Sequence, residues 1–281
     1  MPVMARFSLL IFLLLAGALL ARAQVVHEVV FRGAENLPAT AQQALGEAAQ
    51  PLIGQRYDDN IPGVLQQAVV ETGWVSAARV TTEPVENDVR LIVEVTPNPP
   101  IQSIEFTGNT VLSSETLVKA IPLKPGDAFN PDLARQSAES IKKAYEDRGY
   151  TLTEVTEVTF TPEDVLRFTI REPKIGVIHF EGLNRTREHT VRALLRVKPG
   201  DVYNVRDLQL SLANLQRLQI FDEISVTPEP GTEPGTVDLT FTISERRSGY
   251  VLLGGTYNEV GGLSGYLIFG DNNLFGSAQR V

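Results

Sequence analysis

Residues 104–109, Ile-Glu-Phe-Thr-Gly-Asn, and residues 124–131, Lys-Pro-Gly-Asp-Ala-Phe-Asn-Pro, decide the fold because both stretches recur along the chain. The first has counterparts in Val-Val-Phe-Arg-Gly at 29–33 and Ile-His-Phe-Glu-Gly at 178–182, and the three phenylalanines are 75 and 74 residues apart. The counterparts of the second, each with a glycine, two residues, an aromatic residue and Asp or Asn, are residues 54–58 and 200–204. Two markers that recur in phase three times indicate tandem structural repeats.

The residue types within the markers predict turns and helix caps rather than a catalytic or binding site. Pro-Gly is typical of a type II turn, in which glycine takes the position that requires a positive φ. The Asn that closes the second marker is a preferred helix N-cap, and Pro131 directly after Asn130 fits the first helical position. We therefore assign structural roles to the repeat residues Phe31, Gly33, Phe106, Gly108, Asn109, Gly126, Asn130, Phe180, Gly182, Gly200 and Asn204.

Each repeat reads as strand, helix, helix, strand, strand, which is an α+β fold. A short helix is predicted between the two markers, at residues 114–120 and 186–195, and an amphipathic helix follows the second marker, starting at Asp58 in the first copy. The second and third strands of each copy are predicted at residues 75–81 and 88–95, 153–160 and 165–171, and 223–227 and 237–244. The simplest packing is a three-stranded sheet with both helices on one face and exposed edges.

The first 23 residues have the organisation of a secretory signal peptide. Arg6 supplies a positive start, residues 7–20 form an apolar run, and Ala21-Arg22-Ala23 is a small-x-small cleavage site. The alternative is a transmembrane anchor, but the run is shorter than the ~20 residues that span a bilayer. We expect an exported protein.

Composition excludes several classes of function. The chain has no cysteine and three histidines, which removes disulfides, thiolate metal sites and cysteine nucleophiles. His179 and His189 do not have the spacing of metal ligands, so we expect no metal site and no cofactor. The net charge of −9 argues against a nucleic-acid partner. No nucleophile or acid–base pair stands at a recognisable spacing, and we expect a protein that is not an enzyme.

The last 33 residues differ in character from the repeats. They contain eight glycines and five aromatic residues, and their charged residues are Glu259, Asp271 and Arg280. Residues 248–257 and 263–270 read as two strands around a glycine-rich turn, each about the length of a tilted transmembrane strand. Because two strands cannot close a barrel, we expect this tail to be the truncated start of a transmembrane antiparallel β-barrel.

A signal peptide, tandem units of about 75 residues and a glycine-rich strand pair together resemble the BamA family of outer-membrane assembly factors. The repeats are similar to its POTRA (polypeptide-transport-associated) domains, through Phe106-Thr107-Gly108-Asn109, Lys124-Pro125-Gly126-Asp127 and their copies. Residues 270–276, Gly-Asp-Asn-Asn-Leu-Phe-Gly, look like the end of the second barrel strand and its turn. The resemblance implies a signal peptide at 1–23, POTRA-like domains at 24–98, 99–174 and 175–247, and the start of the barrel at 248–281.

The resemblance also implies a function without catalysis, in which periplasmic POTRA domains receive unfolded outer-membrane proteins and pass them to a lateral gate of the barrel. Reception would occur by β-augmentation, the addition of a client strand to a sheet edge. The implied edge residues are Val75, Ala77, Arg79, Thr81, Thr153, Val155, Glu157, Thr159, Glu223, Ser225 and Thr227, and the implied gate residues are Tyr250, Leu252, Gly254 and Thr256. Outer-membrane lipid, periplasmic chaperones and accessory lipoproteins are the further implied partners.

Two alternatives stay open at this stage. One is a related translocator, either TamA-like or a two-partner secretion transporter, although the latter usually carries two repeats. The other is a periplasmic scaffold with POTRA-like modules and no barrel, which the composition of the tail argues against.

Overall fold

The order strand, helix, helix, strand, strand occurs three times along residues 24–279, which the computed structural model describes, and a two-stranded hairpin follows. The signal-peptide prediction at residues 1–23 lies outside the described residues. By their internal contacts the described residues divide into two units, one containing residues 24–101 with 126–132 and the other containing residues 102–125 with 133–279.

The three repeats contain the same five strands and helices in the same order. The first domain consists of β1 (Val26–Arg32), α1 (Ala39–Ala49), α2 (Ile61–Glu71), β2 (Val75–Val85) and β3 (Asp88–Pro97). The second consists of β4 (Ser103–Thr107), α3 (Ser114–Ala120), α4 (Pro131–Glu146), β5 (Glu154–Phe160) and β6 (Val165–Arg171). The third consists of β7 (Lys174–Glu181), α5 (Glu188–Arg192), α6 (Val205–Gln216), β8 (Phe221–Pro230) and β9 (Thr236–Glu245). The hairpin is β10 (Gly249–Asn258) and β11 (Gly262–Asp271).

Each domain has a three-stranded sheet with its last strand in the centre. The strand orders are β1-β3-β2, β4-β6-β5 and β7-β9-β8. The first strand of each domain is parallel to the central strand, and the second strand is antiparallel to it. The first and second strands are therefore the edges of every sheet, and the second strands are the edges that the sequence analysis named for client binding.

One face of each sheet carries the core. In the third domain, alternate residues of β9 (Val237, Leu239, Phe241 and Ile243) are buried together with Val191 of α5 and with Leu208 and Leu215 of α6. Since residues two apart on a strand share a face, both helices pack on the same side of the sheet. This arrangement confirms the predicted packing and leaves the other face of the sheet toward solvent.

The Phe-x-Gly marker is explained by how the first strand meets the central one. Phe106 stacks on Phe168 with ring centroids 5.6 Å apart, and Phe180 stacks on Phe241 at 5.4 Å. The glycine two residues later has φ of +82° in both Gly108 and Gly182. A Cβ there would lie 2.0 Å from the carbonyl oxygen of the central strand, which belongs to Ile170 and Ile243 respectively. Only glycine satisfies the backbone conformation and the close approach together.

The second marker also behaves as predicted in the second and third copies. Gly126 and Gly200 have φ of +97° and +92°. The Oδ1 atom of Asn130 accepts a hydrogen bond from the backbone N–H of Asp132 at 2.9 Å, and that of Asn204 accepts one from Arg206 at 2.9 Å. Both asparagines thus cap their helices.

Two predicted helices start later than expected. In the first copy the helix begins at Ile61 rather than directly after Asp58. Asp58 Oδ1 accepts the N–H of Asn60 at 2.7 Å, the same contact that Asn130 and Asn204 make, but here a turn separates it from the helix. In the third copy the predicted helix at 186–195 is reduced to α5, Glu188–Arg192. The N–H of Thr186 is held by the carboxylate of Glu245 at 2.7 Å, so this residue is fixed outside the helix.

Candidate functional site

The sheet edges formed by β2, β5 and β8 contain most of the residues that the sequence analysis named for client binding. Ala77, Arg79, Thr81, Val155, Glu157, Thr159, Glu223, Ser225 and Thr227 lie in these strands. Val75 begins β2 but is buried, and Thr153 is buried and precedes β5. The structure therefore places the side chains of those two in the interior of the domain.

The backbone donors on the open side of each edge belong to alternate residues of the strand. In β2 the closing pair Val85 and Asp88 is joined by a two-residue turn, which makes it a pair that bonds across the ladder. Alternation from Val85 directs the N–H groups of Arg79 and Thr81 into the sheet. The N–H groups of Ala78, Val80 and Thr82 then point outward, and the sequence analysis did not identify them because direction follows only from the observed register.

The same alternation shows that β8 offers a shorter run of outward donors than β2. The N–H of Gly231 donates to the carbonyl of Thr236 at 2.9 Å, so the outward positions of β8 are Ile224, Val226, Pro228 and Pro230. Proline has no N–H, which is why it is tolerated at an outward edge position. Half of these positions therefore cannot donate to an added strand.

A β-bulge interrupts each of these edges near its start. The register shifts between Val75 and Ala77, between Val155 and Glu157, and between Phe221 and Glu223. Bulges increase local twist and end regular pairing, so an added strand would align with the regular part beyond the bulge. In β2 this part runs for nine residues from Ala77 to Val85.

The hairpin of β10 and β11 has two chemically different faces. Large apolar side chains occupy one face almost completely, and all of them are more than half exposed: Val251, Leu253, Tyr257, Leu263, Leu267 and Phe269. The opposite face carries the four residues predicted for the gate, Tyr250, Leu252, Gly254 and Thr256, with Ser264, Tyr266 and Ile268 of β11 across from them. The strand register therefore assigns each residue of the hairpin to one face, which the glycine-rich sequence alone leaves undecided.

Two tyrosines on this second face cover glycines of the opposite strand. Gly254 is paired with Tyr266, and Gly270 with Tyr250. A Cβ at Gly254 would lie 2.3 Å from Tyr266 Cζ, and one at Gly270 would lie 2.2 Å from Tyr250 Cζ. Each ring thus lies flat on the backbone where a side chain is missing, an arrangement that stabilises glycine in strands. These glycines thus leave room for aromatic rings, and the pairing of the two strands continues through them.

Asn204 joins the third domain to the second in addition to capping α6. Its Nδ2 donates to the carbonyl of Arg148 at 3.1 Å, while Val205 N–H donates to the carbonyl of Gly149 at 2.9 Å. A Cβ at Gly149 would lie 2.4 Å from Asn204 Oδ1. The sequence identified the cap, but its contact with Gly149 depends on tertiary structure.

In both the second and the third domain, one carboxylate binds the loop that follows the first strand. In the second domain this carboxylate belongs to Glu172, and in the third to Glu245. Glu172 accepts hydrogen bonds from the N–H of Thr110 at 2.9 Å, the N–H of Val111 at 3.1 Å and the hydroxyl of Tyr145 at 2.6 Å. Burial raises the pKa of Glu172, but these hydrogen bonds, with one from the Thr110 hydroxyl, outweigh burial and lower the pKa below its usual value. Sequence reasoning did not identify this residue.

The Glu172 contacts predict an acid-sensitive stability. A carboxylate with a lowered folded-state pKa adds stability above its unfolded pKa and loses that contribution as the pH falls through the folded pKa. We expect Glu172→Gln to reduce the unfolding free energy near pH 7 and to flatten its decline below about pH 4.5, the ordinary pKa of a glutamate. Urea unfolding of residues 24–247 at a series of pH values measures this, with exposed Glu139→Gln as the control. Parallel pH profiles for wild type and Glu172→Gln would contradict it.

The described part of the chain, residues 24–279, contains no helix long and apolar enough to cross a membrane. Within the same residues, no group of three or more His, Asp or Glu side chains is arranged to hold a metal ion.

Comparisons with known proteins identify the repeats. The sequence model of the POTRA family, described as surface antigen variable number repeat, matches residues 99–172 and 173–246. The chain belongs to this family and is a protein of the BamA/Omp85 type with POTRA domains. The matched ranges contain the strands and helices of the second and third domains described above.

Several relatives are similar to this chain in sequence. Outer envelope protein 80 of rice chloroplasts (Oryza sativa) is 24% identical over 92% of this chain and 41% of its own length. The outer membrane protein assembly factor BamA of Neisseria meningitidis is 29% identical over 64% of this chain and 23% of its own length. The chain thus spans less than half of these relatives.

A solved structure shows the same fold. The N-terminal domain of Omp85 from the cyanobacterium Thermosynechococcus elongatus has a TM-score of 0.63 and 24% identity, covering 80% of this chain and 98% of that one. The resemblance supports the succession of sheet domains observed here.

Proposed function

We propose that this protein is an outer-membrane protein assembly factor whose POTRA domains receive unfolded β-barrel clients in the periplasm and pass them to strand β10. The observation that carries the proposal is the POTRA match over two successive domains. Relatives named as outer membrane protein assembly factors support it. Periplasmic chaperones and accessory lipoproteins are the further partners that we propose.

The sheet edges support reception by β-augmentation. An edge strand presents backbone groups that can pair with an extended chain of almost any sequence, which suits a receptor for many different clients. Among β2, β5 and β8, strand β2 has the longest regular run beyond its bulge and carries a proline only at Pro84, near its end. We therefore assign the principal client contact to β2, through Ala78, Val80 and Thr82.

Proline at Thr82 tests this assignment. Thr82→Pro removes one outward N–H and preserves the ladder to β3, so we expect the domain to stay folded while assembly of outer-membrane proteins falls. Thr81→Pro is the matched control, because it removes an inward donor and leaves its acceptor on β3 unpaired, which should cost about 1–3 kcal/mol of stability. Client levels in outer-membrane fractions report assembly, and thermal unfolding reports stability. Normal client levels with folded Thr82→Pro protein would exclude β2 from reception.

The hairpin supports the proposed location in the outer membrane. Strands of ten residues with one continuous apolar face match the outward side of a transmembrane barrel. The opposite face, with Thr256, Ser264 and tyrosines packed on glycines, suits an interior that is not in contact with lipid. We propose that β10 and β11 are the first two strands of such a barrel, with β10 at its lateral gate.

Fractionation of cells, followed by electrophoresis of the native protein with and without boiling, tests the location. A membrane-embedded product much heavier than 30.8 kDa whose migration depends on heating is the expected result. A soluble periplasmic product near that mass would instead support the scaffold without a barrel.

A further inference from the structure

The turn that follows β11 docks onto a loop of the third domain. Residues 271–279 fold back on themselves, with Leu274 and Gln279 bridged, and they meet residues 184–190, which form the loop after β7 and the start of α5. We propose that this contact is a positioning latch, which fixes the third domain to the base of the hairpin so that a client held by the POTRA domains is delivered to β10. The contact itself is observed in the structure, and its role in delivery rests on the proposed function.

Asn273 is the centre of the latch. It is 4% exposed, and its Nδ2 donates to Thr186 Oγ1, also 4% exposed, at 2.8 Å. Its Oδ1 accepts the N–H of Ala278 at 2.9 Å, which closes the turn. One buried side chain thus shapes the turn and binds the domain. A buried amide with both ends bonded in this way is specific, because replacement leaves partners unsatisfied.

The second contact is made by Gly276, and it is possible only because residue 276 has no side chain. Its carbonyl accepts hydrogen bonds from the N–H of Arg187 at 3.0 Å and from the hydroxyl of Thr190 at 3.2 Å. A Cβ at this position would lie 2.1 Å from the carbonyl oxygen of Arg185. The turn can therefore approach the loop this closely only with glycine at residue 276.

The receiving loop is also held by a carboxylate of its own domain. Glu245, at the end of β9, accepts the N–H groups of Asn184, Arg185 and Thr186 at 3.2, 2.8 and 2.7 Å. An ion pair between Arg185 and Asp271, at 2.9 Å, adds a charged contact at the rim. The second domain has the equivalent carboxylate, Glu172, but there the hydroxyl of Tyr145 from the same domain donates to that carboxylate at 2.6 Å. The third domain thus uses this common loop as a docking surface.

Three features indicate a fixed joint rather than a transient contact. The paired side chains of Asn273 and Thr186 are buried, the Gly276 backbone is in close contact, and Ala278 packs against the core of the third domain. In addition, Phe275 and Ala278 hold positive φ angles of 52° and 57°. Non-glycine residues keep this conformation only where their surroundings impose it, which here means the docked turn.

Crosslinking in the complete protein in cells tests the docking. Because the described chain has no native cysteine, the double variant Thr186→Cys with Asn273→Cys reports on this contact alone. We expect it to form a disulfide under mild oxidation, and the control pair Thr186→Cys with Asn258→Cys, at the far end of β10, to form none. Equal crosslinking in both pairs, or none in either, would overturn the latch.

A matched pair of glycine substitutions tests its role. Gly276 and Gly262 have φ of +74° and +70°, so Ala imposes the same backbone cost at both, but a Cβ at Gly262 meets no atom within 4 Å. We expect Gly276→Ala to lower both client assembly and the Thr186–Asn273 crosslink about tenfold, the effect of losing one or two hydrogen bonds, and Gly262→Ala to leave both unchanged.

The oxidised double-cysteine protein completes the test. A positioning latch predicts that the locked protein assembles clients at least as well as the reduced one, in which the Asn273–Thr186 hydrogen bond is missing. Loss of assembly on oxidation, with recovery on reduction, would overturn the fixed joint. If depletion of the whole protein leaves client assembly unaffected, the proposed function fails, while the crosslinking pattern still decides whether the turn docks.

Discussion

Lysine at Leu253 is expected to prevent stable insertion of the protein into the membrane. Leu253 lies near the middle of β10, is 84% exposed and belongs to the continuous apolar face of the hairpin. If this face contacts lipid, a lysine near the midplane costs about 2–4 kcal/mol, a large share of the stability of one protein. We expect the heat-dependent electrophoretic form of Leu253→Lys to decline strongly, together with its amount in the membrane.

The neighbouring residue provides the matched control. Leu252 is also a leucine and is 53% exposed, but it lies on the opposite face, beside Tyr250 and Gly254. Lysine there would face the interior that we propose, so membrane insertion should change little. Equal loss in Leu252→Lys and Leu253→Lys would show that the two faces do not differ in environment and would contradict the proposed orientation of the hairpin.

Alanine at Gly182 is expected to unfold the third domain. The substitution adds a Cβ 2.0 Å from the carbonyl oxygen of Ile243 and forces a non-glycine residue to φ of +82°. The positive φ alone costs about 1–2 kcal/mol, and the collision with the backbone of the central strand must add to it. We expect a total loss above about 4 kcal/mol, in the range of the most damaging single substitutions.

Comparison with Gly200→Ala separates the cost of the positive φ from the cost of the collision with the central strand. Gly200 has φ of +92°, but a Cβ there meets no atom within 4 Å. Its substitution should therefore cost only the backbone term, about 1–2 kcal/mol. Urea unfolding of residues 24–247 carrying either change measures both values. Similar losses for Gly182→Ala and Gly200→Ala would show that the central strand can move away and that the close approach is not required.

Several features were predicted from the sequence because they depend on residues close together in the chain. The markers around Phe106 and Phe180 defined the repeats, Gly126 and Gly200 indicated positive-φ turns, and Asn204 indicated a helix cap. Turn and cap preferences are local, so they survive in almost any tertiary context. The length and position of the hairpin strands were predicted to within a residue or two for the same reason.

Other features followed only from tertiary structure. Glu172 and Glu245 looked like ordinary strand-end acids, yet each binds a loop about 60 residues away in sequence. The outward donors of β2, the two faces of the hairpin and the burial of Thr153 all depended on strand register, where a shift of one residue exchanges inside and outside.

By itself, the sequence determined the repeated unit, its turns and caps, and the change of character after residue 247, because these rest on local backbone preferences and composition. Only the tertiary structure decided which edge is open, which face is apolar and which loop receives the turn around Asn273. Those properties arise from backbone groups and side chains that are brought together across long sequence separations, and local preference does not encode such encounters.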